Sequence, residues 1–202
     1  MLEFVARRYD TGAVVRATVA DGRWQCFEPS REQQHASLPW LAPGWVDLQV
    51  NGWSGIEFTD RELTVENVAC VLTAMDCHGV VRTCPTVTTQ SHEVLRHAMA
   101  TLARACEEDS QVADRFAGIH LEGPFLSPED GPRGAHPLEH VRPPDWDEFQ
   151  RLQEAADGRI RLVTLSPEYE EAPTFISKAV STGVLVAIGH TAADSRAIQA
   201  AV

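Results

Sequence analysis

Phe116-Ala117-Gly118-Ile119-His120-Leu121-Glu122-Gly123-Pro124 is the stretch on which the reading of this chain turns. Phe116–Leu121 is an apolar run of strand length, and Gly123-Pro124 breaks it sharply. Residues two apart along a strand share a face, so His120 and Glu122 point the same way, with Glu122 nearer the strand's C-terminal end. Similar runs occur at Trp45–Val50, Val80–Cys84, Ile160–Leu165 and Val184–Ile188. Between them apolar residues recur at helical spacing: Val68, Val71, Leu72 and Met75, then Leu95, Ala98, Met99 and Leu102. Trp146, Phe149 and Leu152 mark a third helix, and Phe175, Ile176, Ala179 and Val180 a fourth. A fifth starts after Thr191, with Ala193, Ile198 and Ala201. Strand and helix in repeated alternation predict right-handed βαβ units and a mostly parallel sheet.

The count of units narrows the α/β class. Five βα units fall short of the eight that close a (β/α)8 TIM barrel. A doubly wound open sheet can be complete with five strands. However, the first strand leads into Gln49-Val50-Asn51-Gly52, with neither a dinucleotide fingerprint nor a P-loop. The sequence also stops within a helical pattern, at Gln199-Ala200-Ala201-Val202, with no cap and no following strand. The expectation is an incomplete barrel: its first five βα units over residues 44–202, truncated at the C-terminus. Residues 1–43 read differently. Ala13–Val19 and Trp24–Phe27 flank Asp21-Gly22 as two strands around a tight turn, the polar Glu28–Gln34 reads as a loop, and the whole forms a small β appendage.

Composition bounds the function. The chain has 202 residues, 44% hydrophobic and 23% charged, which suits a soluble globular protein. Its net charge of −12, with no basic cluster longer than Arg7-Arg8, argues against nucleic-acid binding. No apolar stretch is long enough to span a bilayer, and the N-terminus lacks the pattern of a signal peptide. The five cysteines, Cys26, Cys70, Cys77, Cys84 and Cys106, are widely spaced without a Cys-x-x-Cys pair. They read as reduced thiols of a cytoplasmic protein.

Candidate chemistry lies at the strand ends, where barrel folds place it. Glu122 could bind a divalent metal or act as a base, or it could simply pair with Arg133. His190, in Gly189-His190-Thr191 after the last strand, suits a metal ligand or a structural cap. Gln49 and Asn51 share a face at the end of the first strand. A His-x-His there would signal a binuclear site; amides instead suit hydrogen bonding in a polar mouth. The long Gly/Pro-rich loop after Leu121 carries Gly134-Ala135-His136 and could close over a ligand. His35, His78, His92, His97 and His140 have no convergent partner and read as surface or helix-end residues.

These motifs together resemble the N-acetylglucosamine-6-phosphate deacetylases of the amidohydrolase superfamily. The similarity rests on Pro43-Gly44-Trp45-Val46-Asp47-Leu48-Gln49-Val50-Asn51-Gly52 with Gly55-Ile56-Glu57-Phe58-Thr59-Asp60. It continues through Gly118–Phe125 with Gly134-Ala135-His136, Thr164-Leu165-Ser166-Pro167-Glu168 and Ile188-Gly189-His190-Thr191. The resemblance implies a (β/α)8 barrel with a small β-sandwich built from both chain ends. It implies Glu122 and His190 as ligands of one divalent metal, usually zinc, and Ala135 and His136 as contacts to an amino-sugar phosphate. Gln49 and Asn51, where other superfamily members carry His-x-His, fit the single-metal branch. The implied reaction is hydrolysis of the acetamide to glucosamine 6-phosphate and acetate, by a cytoplasmic homodimer. A further histidine ligand and the catalytic aspartate are expected after the fifth strand, beyond Val202. The chain alone is then expected to be inactive. A non-catalytic remnant of the same fold is the alternative, as is another amidohydrolase such as a deaminase or dihydroorotase.

Overall fold

The computed structural model describes residues 1–30 and 37–201. His35 and most of the polar stretch read as a loop lie outside the described residues. The chain divides into two compact units, Met1–Gly44 and Trp45–Val202.

The first unit is a four-stranded sheet. Its strands are β1 (Leu2–Arg8), β2 (Val14–Ala20), β3 (Arg23–Pro29) and β4 (Trp40–Leu41), in the order β3-β2-β1-β4. The hairpin foreseen at Asp21-Gly22 is present, and both residues have positive φ (51° and 70°), as a two-residue turn between twisted antiparallel strands requires. Two details differ from the sequence expectation. Strand β1 pairs antiparallel with β2 from Leu2 to Arg7, and Glu28 and Pro29 continue β3 instead of starting a loop. Ala6, Val15 and Ala17 are buried, whereas β3 is exposed along its length and carries Trp24 and Phe27 in ring contact.

The second unit is built on a five-stranded parallel sheet. Its strands are β5 (Trp45–Val50), β8 (Val80–Thr88), β9 (Ile119–Glu122), β10 (Ile160–Leu165) and β11 (Leu185–Ile188). The short strands β6 (Gly52–Trp53) and β7 (Ile56–Glu57) form a separate ribbon after β5. The sheet order β11-β10-β9-β8-β5 follows the chain order without reversal. A doubly wound sheet reverses at a switch point; a barrel does not. The fold is therefore mixed α/β, with an open, curled parallel sheet representing an incomplete TIM barrel, plus the N-terminal strands. Strand β8 runs past the expected Cys84 to Thr88 despite Pro85, which has no amide to donate. The register against β5 shifts between Asp47 and Val50, beside that proline.

The helices are α1 (Val65–Asp76), α2 (His92–Glu108), α3 (Ser110–Arg115), α4 (Trp146–Ala155), α5 (Ala172–Ser181) and α6 (Ser195–Ala201). Helix α3 has no counterpart in the periodicity, and it takes Phe116 as its C-cap, so the third strand starts at Ile119. The predicted apolar faces of α1 and α2 are buried, with Leu95, Ala98, Met99 and Leu102 fully so. Thr64 caps α1 through a reciprocal bond pair with Asn67, and Asp145 caps α4 by accepting from the Glu148 amide. Phe125, Phe149, Phe175 and Trp146 pack edge-on and stacked between α4, α5 and the loop after β9. At the two edge strands Trp45 and Leu185 are each 69% exposed.

Candidate metal centre

Parallel strands all end on one side of a sheet, and register sets which residues meet there. Thr88, Glu122 and Thr164 pair at one level across β8, β9 and β10. Glu122 closes β9 with only 6% of its surface exposed. Its carboxylate has partners on both oxygens. Gln49 Nε2 donates to Oε2 at 2.9 Å, and His190 Nε2 lies 3.1 Å from Oε1. His120 lies two residues deeper and is also buried. Its ring meets Thr164 Oγ1 at 2.8 Å and Thr86 Oγ1 at 3.3 Å, so it braces the neighbouring strands one level below Glu122. Burial, only partly opposed by the nearby Glu122, pushes the His120 pKa down and keeps the imidazole neutral.

His136 arrives from the long loop. Its Nδ1 lies 2.8 Å from Thr89 Oγ1, and its Nε2 faces Glu122 Oε1 at 4.0 Å. Its ring packs edge-on against that of His190, with centroids 4.4 Å apart. Burial, then the neighbouring His190, lowers its pKa, with Arg133 acting in the same direction and Glu122 against it. Arg133 does not pair with Glu122. It donates to the His136 carbonyl at 2.7 Å and pairs with Asp130 at 3.1 Å. The loop is closed at its base, where the Arg142 amide donates to the Pro124 carbonyl at 3.1 Å. The Arg142 guanidinium grips the buried Glu148 carboxylate through Nε at 2.9 Å and Nη2 at 2.5 Å, and His92 joins at 3.0 Å.

Glu122, His136 and His190 thus present three ligand atoms within 4.8 Å of one another. The donor chemistry fits a cation. A carbonyl oxygen only accepts, so the Pro132 carbonyl 3.1 Å from His190 Nδ1 places a proton on that nitrogen. A neutral His190 then turns its Nε2 lone pair toward the Glu122 oxygen. Two lone pairs facing each other at 3.1 Å call for a cation or a proton between them. An outer hydrogen bond to a backbone carbonyl is also how metal-ligating histidines are usually oriented. Zinc ligands stand about 2.0–2.2 Å from the ion, so donors 3.1 and 4.0 Å apart can share one. This buried His/His/Glu cluster is a candidate divalent-metal site.

The site opens into a cleft of about 380 Å³. Besides Glu122 and His190, it is lined by Gln49, Asn51 and Thr88 and by Ala135, His136 and Pro137 of the long loop. Of the remaining histidines, His92 pairs with Glu148, His97 meets the Leu63 carbonyl and His78 packs on Trp53. Sequence reasoning did not single out Thr89 or the Pro132 carbonyl, which orient the two imidazoles. Thr89 also explains Gly123: that glycine has φ +82°, and a Cβ there would lie 2.1 Å from Thr89 Oγ1.

No family model matches the chain. Human N-acetylglucosamine-6-phosphate deacetylase is 37% identical over 166 residues, 80% of this chain and 39% of that protein. The N-acetylgalactosamine-6-phosphate deacetylase of Shewanella sp. (strain ANA-3) is 34% identical over 165 residues, again 80% of this chain and 39% of that protein. The crystal structure of N-acetyl-D-glucosamine-6-phosphate deacetylase from Mycobacterium smegmatis superposes with a TM-score of 0.82 at 28% identity, covering all of this chain and 53% of that one. The chain spans about two fifths of the length of the curated relatives it matches. Over most of its own length, in sequence and in structure, this chain is homologous to the N-acetylglucosamine-6-phosphate deacetylases of the amidohydrolase superfamily.

Proposed function

We propose that this chain is the metal-holding part of an N-acetylglucosamine-6-phosphate deacetylase, and that Glu122 and His190 ligate one Zn²⁺. The observation that carries it is the Glu122–His190 pair, an imidazole whose outer nitrogen is committed to a carbonyl and whose inner nitrogen meets a buried carboxylate. When bound, zinc supplies Lewis acidity to the acetamide carbonyl and a water of lowered pKa. Gln49 holds the second Glu122 oxygen, and with amides at 49 and 51 the mouth suits one ion rather than two. His136 and Ala135 stand over the cleft as contacts to the amino-sugar phosphate, with Thr89 holding the His136 ring. Local donors of this kind bind a phosphorylated sugar despite the net charge of −12.

Glu122 is the only acidic residue lining the cleft among the described residues. We infer that the proton-transferring aspartate, like the further histidine ligand, is not among these 202 residues. The four-stranded sheet of the first unit is read as one layer of a β-sandwich. A cytoplasmic homodimer without affinity for nucleic acid completes the proposal. The Shewanella relative favours one second reading, that the sugar is the galactosamine epimer.

Zn²⁺ calorimetry on the purified chain, followed by acetate release from both hexosamine phosphates, tests the proposal. Zn²⁺ binding lost in Glu122→Gln is expected. Acetate release is expected only in a chimera joining this chain to the remaining part of the M. smegmatis enzyme. Zn²⁺ binding indifferent to residue 122 overturns the metal assignment. Turnover by the chain alone overturns the placement of the base.

A further inference from the structure

His190 has φ +48°, a left-handed conformation that a residue with a side chain adopts only where its surroundings impose it. Glycine or asparagine would sit there more easily, but neither offers an imidazole. The backbone around His190 must therefore be held. Before it the Gly189 amide donates to the Leu165 carbonyl at 3.1 Å, and the carbonyl of His190 itself accepts from the Ser127 amide at 2.9 Å. On its C-terminal side the bonds converge on one atom. Glu168 Oε2 accepts from the Ala192 amide at 2.8 Å and from the Thr191 hydroxyl at 3.3 Å. The Ser166 hydroxyl lies 2.8 Å from that oxygen and 2.8 Å from Thr191 Oγ1. Thr191 Oγ1 in turn accepts from the Ala193 amide at 2.9 Å. Ser166 is fully buried, so this network is a built feature of the strand end. Glu168 belongs to the loop after β10, whereas His190 follows β11. The carboxylate thus ties two neighbouring strand ends together.

We propose that Glu168 is a positioning residue for His190, clamping Thr191 and Ala192 so that the left-handed turn keeps the imidazole aimed at Glu122. This rests on reading His190 as a metal ligand. Glu168 does not reach the ligand atoms; it acts through the backbone.

The experiment compares Glu168→Ala, Glu168→Gln and Thr191→Val with the unaltered chain by two readouts. The first is hydrogen exchange at the amides of residues 189–193 without metal. The second is Co²⁺ affinity together with the visible absorption spectrum of the bound Co²⁺, which reports ligand geometry. Glu168→Ala is expected to speed exchange at Ala192, to weaken Co²⁺ binding about 10- to 100-fold and to alter the spectrum. Glu168→Gln keeps an oxygen for the Ala192 amide and should restore most of both. Glu168→Ala with unchanged exchange and Co²⁺ affinity within about twofold overturns the proposal. If that variant does not fold, Thr191→Val decides, since it removes one hydroxyl and keeps the carboxylate: weakened binding supports the clamp, and unchanged binding and exchange overturn it. If the unaltered chain binds no Co²⁺, the metal assignment falls, while exchange at 189–193 still decides the positioning role.

Discussion

Replacing Gly123 with alanine tests how the fold shapes the site. Gly123 follows Glu122 of the candidate metal centre, with φ +82° and Thr89 Oγ1 only 2.1 Å from where a Cβ would sit. The left-handed backbone costs an alanine about 1–2 kcal/mol. The contact must also be relieved by moving Thr89 and Leu126, whose nearest atoms lie 2.1 and 3.1 Å from the new methyl. Overpacking of this kind adds about 1–3 kcal/mol. The expected loss is about 2–5 kcal/mol, or a melting temperature lower by roughly 4–20 °C in a chain of this size. Because Thr89 holds His136 Nδ1 at 2.8 Å, the displacement should also disturb the imidazole. Thermal and urea unfolding by circular dichroism measure the stability term, and a double-mutant cycle with Thr89→Ala isolates the steric part. Removing the hydroxyl removes the 2.1 Å contact but leaves the Leu126 contacts and the backbone strain, so the cycle should show a coupling of about 0.5–3 kcal/mol. A Gly123→Ala chain within about 0.5 kcal/mol of the original, or a cycle additive to within the same margin, would refute the reasoning.

Burial raises the pKa of Glu148, but the Arg142 hydrogen bond and charge, then those of His92, outweigh it and hold the carboxyl below its usual range. A depressed folded-state pKa means stability that is present above the unfolded carboxyl pKa and is lost as pH falls through the folded value. Acid titration of urea midpoints should show a larger loss in the original chain than in Glu148→Gln, while Glu148→Ala at neutral pH should cost about 3–5 kcal/mol by leaving the Arg142 guanidinium without its carboxylate. Leu102→Ala removes a fully buried side chain of α2 and should cost about 2–5 kcal/mol in chemical denaturation. Burial pushes the Cys106 thiol up to about 11 and raises that of Cys84, whereas Cys26, Cys70 and Cys77 are exposed. A thiol reagent at pH 8 should therefore titrate three of the five cysteines in the native chain and all five after unfolding. Trp45, Val46 and Leu48 on one edge strand and Leu185 on the other are exposed, so light scattering should show concentration-dependent association; a monomer at roughly 100 µM would contradict it.

The alternation of strands and helices was written in local periodicity, because a helix or strand that buries one face must repeat its apolar residues at the matching interval. That is why the spacing of Leu95, Ala98, Met99 and Leu102 marks them as one buried face. Placing Glu122 and His190 at one mouth needed only the rule that parallel strands end on the same side. Elements without a periodic signature stayed hidden: the six residues of α3 are too few to show one, and β1 is defined by its pairing with β2. The orienting groups were hidden for a different cause. His136 meets Thr89 across 47 residues, His190 meets the Pro132 carbonyl across 58, and Ala192 meets Glu168 across 24. Each pairing depends on where a loop closes in space, and loop closure leaves no repeat in the residues themselves. Sequence alone determined the type of fold and the strand ends that carry the candidate ligands Glu122 and His190. Only the tertiary structure decided which nitrogen of each imidazole faces inward, because that is set by hydrogen bonds between segments brought together by folding.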